Sequence, residues 1–199
     1  VHIEGFQDVK IPNGTVDLAV TNVPFVTGLH VIDKVDKDLS RKFTNIHDFC
    51  IAKNIRKLRE GGIGIFITSA GTMDKSTKLR EWIPDEGQSD VVGAFRLNNE
   101  TFGGTNVTSD IIVVRKRVGG IKSEGAIDIS KASPMRVGSY EYKLRNEHQV
   151  SMTVNDYFRD HPEMMAGEMA FGYEKGDTFR PGSYSLYPVK SRMISLEFP

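Results

Sequence analysis

Apolar residues along the chain fall into short alternating or continuous runs separated by Gly, Pro and Asn. "VHIEGF" (1–6) predicts a short strand leading to a turn at Pro12, Asn13 and Gly14. Val16, Leu18 and Val20 alternate with other residues in "VDLAVTN", which predicts a buried strand. Residues 26–43 are polar without a steady period and read as a long loop with room for one helical turn; loops of that length are often binding segments. "TNIHDFCIAKNIRKLREGG" carries the clearest helical signal. Asn45 is a suitable N-cap, Asp48 complements the first turn, and Ile46, Phe49, Cys50, Ile55 and Leu58 form one stripe. Arg56, Lys57 and Arg59 crowd the last turn, and Gly61 is expected to end it. The run "IGIFIT" (63–68) predicts a strand buried on both faces, so strand, helix and strand give a βαβ unit with parallel strands.

A second helix is expected from Asp74 to Ile83, closed by Pro84. "DVVGAFRL" (90–97) and "SDIIVVRKR" (109–117) predict an antiparallel hairpin at the sheet edge. The fold class is therefore α/β. After Gly119-Gly120 the pattern weakens, and residues 121–199 read as a mixed, largely irregular extension with a short helix near 154–161, broken at Pro162.

Composition narrows this picture only slightly. A chain of 199 residues, 39% hydrophobic, suffices for one sizeable domain or a domain with an appendage. Twenty-six basic residues balance twenty-six acidic ones, so any contact with nucleic acid has to be local. One cysteine, Cys50, excludes an internal disulfide and suits a reducing compartment; it reads as a core thiol on the helical stripe. No apolar run is long enough to cross a bilayer, and no signal peptide is visible, so the expectation is a cytoplasmic protein without membrane contact. Val1 opens the chain in mid-pattern, as in a piece cut from a longer protein or an end exposed by processing.

The chemistry is concentrated where the first parallel strand ends, at Asn22-Val23-Pro24-Phe25. Ligands of open α/β sheets bind at the carboxyl edge. The Asn22 side chain offers an acceptor oxygen, and the Val23 carbonyl precedes a proline, which keeps that oxygen out of a ladder. The two acceptors suit one exocyclic amino group, and Phe25 supplies a flat surface for its ring; such stacking is worth about 1–3 kcal/mol per base. The plain alternative is a strand-terminating turn whose Phe joins the core.

Those four residues, followed in order by "LREGGIGIFIT" (58–68) and "FRLNNETFGGTNVTSDIIVVRK" (95–116), give the chain its family likeness. It resembles the C-terminal half of the catalytic domain of adenine-N6 DNA methyltransferases, as found in type I modification subunits, whose motif is Asn/Asp-Pro-Pro-aromatic. Val23 departs from that motif by replacing the first proline. With "VNDYFRDHPEMMAGEM" (154–169) included, the chain also resembles the helicase–methylase fusion proteins of bacterial mobile elements and phages. The resemblance implies a partial Rossmann-like class I methyltransferase sheet over residues 1–120, with parallel strands and a C-terminal antiparallel hairpin. It implies S-adenosylmethionine as cofactor, and DNA and the remainder of a parent polypeptide, with its N-terminal methyltransferase half and a helicase, as partners. Asn22 and the Val23 carbonyl would then hold the amino group of a flipped adenine, with Pro24 shaping the turn and Phe25 stacked on the ring.

The family's Gly-rich cofactor turn has no counterpart before Asn22. Gly61-Gly62-Ile63-Gly64 precedes a strand instead of joining strand to helix, and Gly103-Gly104 reads as a hairpin turn. The isolated chain is thus expected to bind cofactor poorly and to be inactive alone. Related expectations are methylation of RNA guanine-N2 or protein glutamine, or a non-enzymatic DNA-binding or assembly module. Arg41 and Lys42, and Arg115, Lys116 and Arg117, are candidates for phosphate contacts, with solvated charge as the plainer reading. His2, His30, His47, His148 and His161 show no metal-ligand spacing, and His47 reads as a first-turn residue. Asp156, Asp160, His161 and Glu163 read as an exposed helix end, and Met164, Met165 and Met169 as packing.

Overall fold

Four strands form the central sheet of the computed structural model, which describes residues 5–25, 32–102, 107–138, 149–170 and 185–188. They are β1 (Val16–Asn22), β2 (Leu58–Ser69), β3 (Ser89–Leu97) and β4 (Ser109–Lys116), in the order β1-β2-β4-β3. β1 and β2 are parallel, and β4 runs antiparallel to both β2 and β3. The helices are α1 (Lys37–Lys42), α2 (Ile46–Lys57), α3 (Gly71–Asp74) and α4 (Thr77–Trp82). The expected βαβ unit and the β3–β4 hairpin are both present. The strand expected over residues 1–6 falls mostly on residues 1–4, which lie outside the described ones; Phe6, at its end, opens one turn of 3-10 helix over Phe6–Asp8.

α2 begins where the sequence places it. The Asn45 side chain accepts a hydrogen bond from the Asp48 amide, and Phe49, Cys50, Ile51, Ala52 and Ile55 are buried beneath the sheet. Its end differs from the expectation. The helix stops at Lys57, Leu58 already belongs to β2, and Gly61 (φ 73°) lies inside the strand at an irregularity. Between the pairs Val16↔Leu58 and Leu18↔Ile63 the register shifts, so Gly61 and Gly62 loop out of the ladder and do not cap the helix. The helix expected over 74–83 is the shorter α4; Asp74 instead ends α3, and the chain leaves helical geometry at Lys75-Ser76 between the two.

One core cluster lies on one face of the sheet, joining Val23, Phe49, Phe66, Met73, Trp82, Ile112 and Val114. The extension enters the same cluster through Ile129, Val154, Phe158, Met165 and Leu186. Its elements are the hairpin β5 (Ala132–Gly138) and β6 (Gln149–Asn155), α5 (Asp156–Asp160), a 3-10 turn at Pro162–Met164, and the pair β7 (Glu168–Ala170) and β8 (Ser185–Tyr187). It borders β3, where the Ile127 amide donates to the Val91 carbonyl (2.9 Å) and the Ala166 amide to the Arg96 carbonyl (2.8 Å).

The opposite face is uncovered by any described helix. Register puts Leu18, Val20 and Asn22 of β1 beside Ile63, Ile65 and Ile67 of β2, with Val113 and Ile111 of β4 beyond them. Leu18 is 55% and Val20 65% exposed, whereas Ala19 and Val23 face the core. This reverses the burial expected for Val16, Leu18 and Val20, and β2 is buried on one face with its isoleucines only half-buried on the other. The period of the alternation is that of the strand, but the cover it implies is not among the described residues. β1 is also an edge strand: its only ladder partner among them is β2. None of the described helices is long and apolar enough to cross a membrane.

Candidate functional site

The segment Asn22–Phe25 ends β1 at the carboxyl edge of the parallel pair. The ladder runs one residue past the strand, with the Val23 amide donating to the Ile67 carbonyl at 2.8 Å. That bond anchors Val23, whose side chain is wholly buried, and Pro24 ends the ladder immediately after it. Neither the Asn22 side chain nor the Val23 carbonyl has a hydrogen-bond partner among the described residues. Asn22 and Pro24 are exposed, and Phe25 is 43% exposed, so the aromatic has not joined the core as the plain turn reading expected. Two unpaired acceptors and a partly bare ring therefore lie within four residues, on a backbone fixed by β2.

Phe25 is not loose. Its ring meets the His47 ring edge-on, with centroids 5.5 Å apart and planes 72° apart. His47 is the second residue of α2, and its Nε2 is buried with no hydrogen-bond partner. Burial pulls the His47 pKa below its ordinary value, against the opposing pull of the Asp48 carboxylate. This contact is not legible in the sequence, because a separation of 22 residues across an aperiodic loop leaves no local pattern.

The loop after Phe25 is tied back to α2 by charge. Residues 26–31, including His30, lie outside the described ones. Beyond them, the buried Lys53 donates to Asp33 at 2.6 Å, Lys57 to Asp36 at 2.8 Å, and Arg56 holds Asp38 through two nitrogens. Phe6 lies under Lys53, its ring centre 5.1 Å from Nζ. Buried polar groups of this kind are satisfied in concert and fix a segment's path.

The candidate phosphate contacts are divided. Arg41 is exposed with no ion pair among the described residues, while Lys42 pairs with Glu86. Arg115 is exposed but registers with Ile63, four residues from the Ile67 that faces Asn22, so it lies toward the other end of the sheet, about 13 Å along the strand. Lys116 donates to the Gly87 carbonyl (2.6 Å), and burial pulls its pKa down; Arg117 is engaged by Asp90 at 2.7 Å. Arg115, Lys116 and Arg117 are thus not brought to Asn22. Cys50 is buried and its thiol is pushed up to about 11 by that burial, which suits a packed thiol and not a nucleophile. Asp156, Asp160, His161 and Glu163 are engaged with one another's neighbourhood: Arg159 binds both aspartates and Glu163 pairs with His161.

The described residues do not form the usual holder of S-adenosylmethionine. Gly61, Gly62 and Gly64 lie within β2, where backbone oxygens crowd Gly62 and the Phe66 ring crowds Gly64, and no described strand is followed by a Gly-rich turn into a helix of useful length. Among the described residues no group of His, Cys, Asp and Glu is placed to hold a metal ion.

No family model matches the chain, and no curated protein sequence does. Solved structures do. A protein of Listeria monocytogenes assigned to the class I S-adenosylmethionine-dependent methyltransferases overlays with a TM-score of 0.50 at 17% identity, covering 61% of this chain and 38% of its own. A type I restriction enzyme modification subunit from Vibrio vulnificus YJ016 overlays with a TM-score of 0.42 at 17% identity, over 52% of this chain and 23% of its own. The M protein of the type I restriction enzyme EcoKI gives 0.37 at 15% identity, over 77% and 31%. The chain thus spans less than two fifths of the length of each of these structures. The likeness to the Listeria protein is one of fold: the mixed α/β sheet matches part of that structure.

Proposed function

We propose that this chain is the target-base half of an S-adenosylmethionine-dependent DNA adenine-N6 methyltransferase, inactive by itself. The observation that carries the reading is the pair of acceptors without a partner among the described residues, the Asn22 side chain and the Val23 carbonyl, beside the partly bare Phe25 ring. An exocyclic amino group has two N–H bonds, and two fixed acceptors take both, which directs the nitrogen lone pair away from them. A flipped adenine brings that group together with a flat ring for Phe25. Val23 in place of proline keeps the carbonyl and gives up some backbone stiffness, which the hydrogen bond from its N–H to the Ile67 carbonyl supplies instead.

The partner in this reading is a donor-binding half, in the same polypeptide or another, as in the helicase–methylase fusions that the sequence resembles. The open edge of β1 and the apolar face around Leu18 and Val20 favour a second layer of sheet and helix there. Arg41 is the candidate phosphate contact favoured by exposure and by the lack of a described ion-pair partner.

The test is transfer of a labelled methyl group from S-adenosylmethionine by this chain joined to such a half. Transfer to adenine in DNA is expected, with none from the 199-residue chain alone. Asn22→Ala is expected to lower the rate about 10²–10³-fold, the scale of removing one aligned hydrogen bond from a reacting group. Undiminished transfer by Asn22→Ala, or labelling of guanine-N2 in RNA or glutamine in protein in place of adenine, overturns the proposal.

A further inference from the structure

We infer that His47 is a positioning residue for base stacking, holding the Phe25 ring at the angle it presents to the target base; this rests on the reading of Phe25 as the stacking surface. Phe25 follows a proline and is only partly buried, so the chain around it gives the ring little lateral support. Among the described residues its aromatic contact is with His47, edge-on at 5.5 Å and 72°. Edge-to-face packing at such a distance is a favoured aromatic geometry and resists rotation of either ring.

His47 is itself held firmly. The Asn45 side chain caps the first turn through the Asp48 amide, and the Asp48 carboxylate accepts a hydrogen bond from the Ser76 hydroxyl. The backbone on both sides of His47 is therefore pinned. Its Nε2, by contrast, is buried and makes no hydrogen bond among the described residues. A histidine kept for its polarity would have a partner for that nitrogen. What the ring does make is the contact with Phe25. Burial favours the neutral imidazole, which spares the stacking site a buried charge.

The test uses the 199-residue chain and single-stranded oligothymidine carrying one 2-aminopurine, titrated by the fluorescence of that base. Phe25→Ala is expected to weaken binding by about fivefold or more. His47→Ala is expected to weaken it about three- to tenfold, and His47→Phe to restore it to within about twofold of wild type, because an aromatic edge replaces an aromatic edge. His47→Leu keeps the bulk without the ring, and should resemble His47→Ala; it serves where the alanine variant fails to fold, as judged by circular dichroism. Wild-type binding by His47→Ala or His47→Leu, with Phe25→Ala weakened, overturns the role of His47 alone. A failure of His47→Phe to restore binding also overturns it. Wild-type binding by Phe25→Ala instead removes the stacking surface on which both readings stand.

Discussion

Arg96 heads the fully buried side chains, and it is charged. Its Nε and Nη2 meet Asp110 at 2.7 and 2.8 Å, Nη1 and Nη2 meet Asp74 at 3.2 and 3.1 Å, and the guanidinium lies 4.1 Å above the centre of the Phe158 ring. Burial pushes the Asp110 carboxyl up and Arg96 draws it back. Asp74 also accepts the Asn155 amide, and the Asn155 side chain donates to the carbonyls of Met73 and Ile129. Removing the cation strands two buried carboxylates, so Arg96→Ala should cost about 3–5 kcal/mol in urea unfolding. A loss below about 1 kcal/mol would show that water reaches the site. Residue by residue, the legible features were local: the Asn45 cap and the Asn-x-Pro-aromatic ending of β1 each lie within four residues of sequence. Arg96 with Asp74 and Asn155, and Phe25 with His47, are partners across 22 to 81 residues, and no local rule joins them.

Elements were legible by type and less so at their ends. α2, the core of β2 and the β3–β4 hairpin follow from periodicity because each buries a face that sets its pattern, whereas β1 follows from an alternation whose apolar side stands exposed. "LREGG" misled because Gly after a basic turn commonly ends a helix, whereas here α2 passes directly into β2 and the glycines relieve crowding between strands. A Cβ on Gly62 would stand 2.9 Å from the carbonyl oxygens of both Arg59 and Val16 and 3.2 Å from that of Asp17. All three are backbone atoms with little freedom to yield. Gly62→Ala is therefore expected to lower stability by about 1–3 kcal/mol, read as an earlier thermal transition, and to loosen amide protection in β1. An unchanged transition would mean that the two strands separate more easily than the ladder implies.

At the scale of the molecule, the sheet has one finished face and one open one. The sequence could not show which, since alternation gives the period of a strand and not the identity of what covers it. Leu18 and Val20 look like core residues in the sequence and stand on the surface in this chain. Val20→Lys, on the exposed face of the edge strand, should leave stability within about 0.5 kcal/mol of wild type while reducing binding of an apolar dye and self-association in sedimentation. A large loss of stability would show that the face is covered after all.

The direct passage from Lys57 into Leu58 has a mechanical meaning for the four residues at the end of β1. α2 carries His47 at one end, runs roughly 15 Å to Lys57, and turns without slack into β2. β2 then returns to Ile67, whose carbonyl holds Val23. Phe25 and Val23 are thus clipped to the two free ends of one hairpin-like frame, joined at its apex by a single peptide bond. With no loop between helix and strand, the spacing between the stacking ring and the amino-group acceptor depends on the packing of α2 against β2. The tolerance of that spacing is decided in the core, at Ala52, Ile55 and Phe66, far from anything a ligand touches.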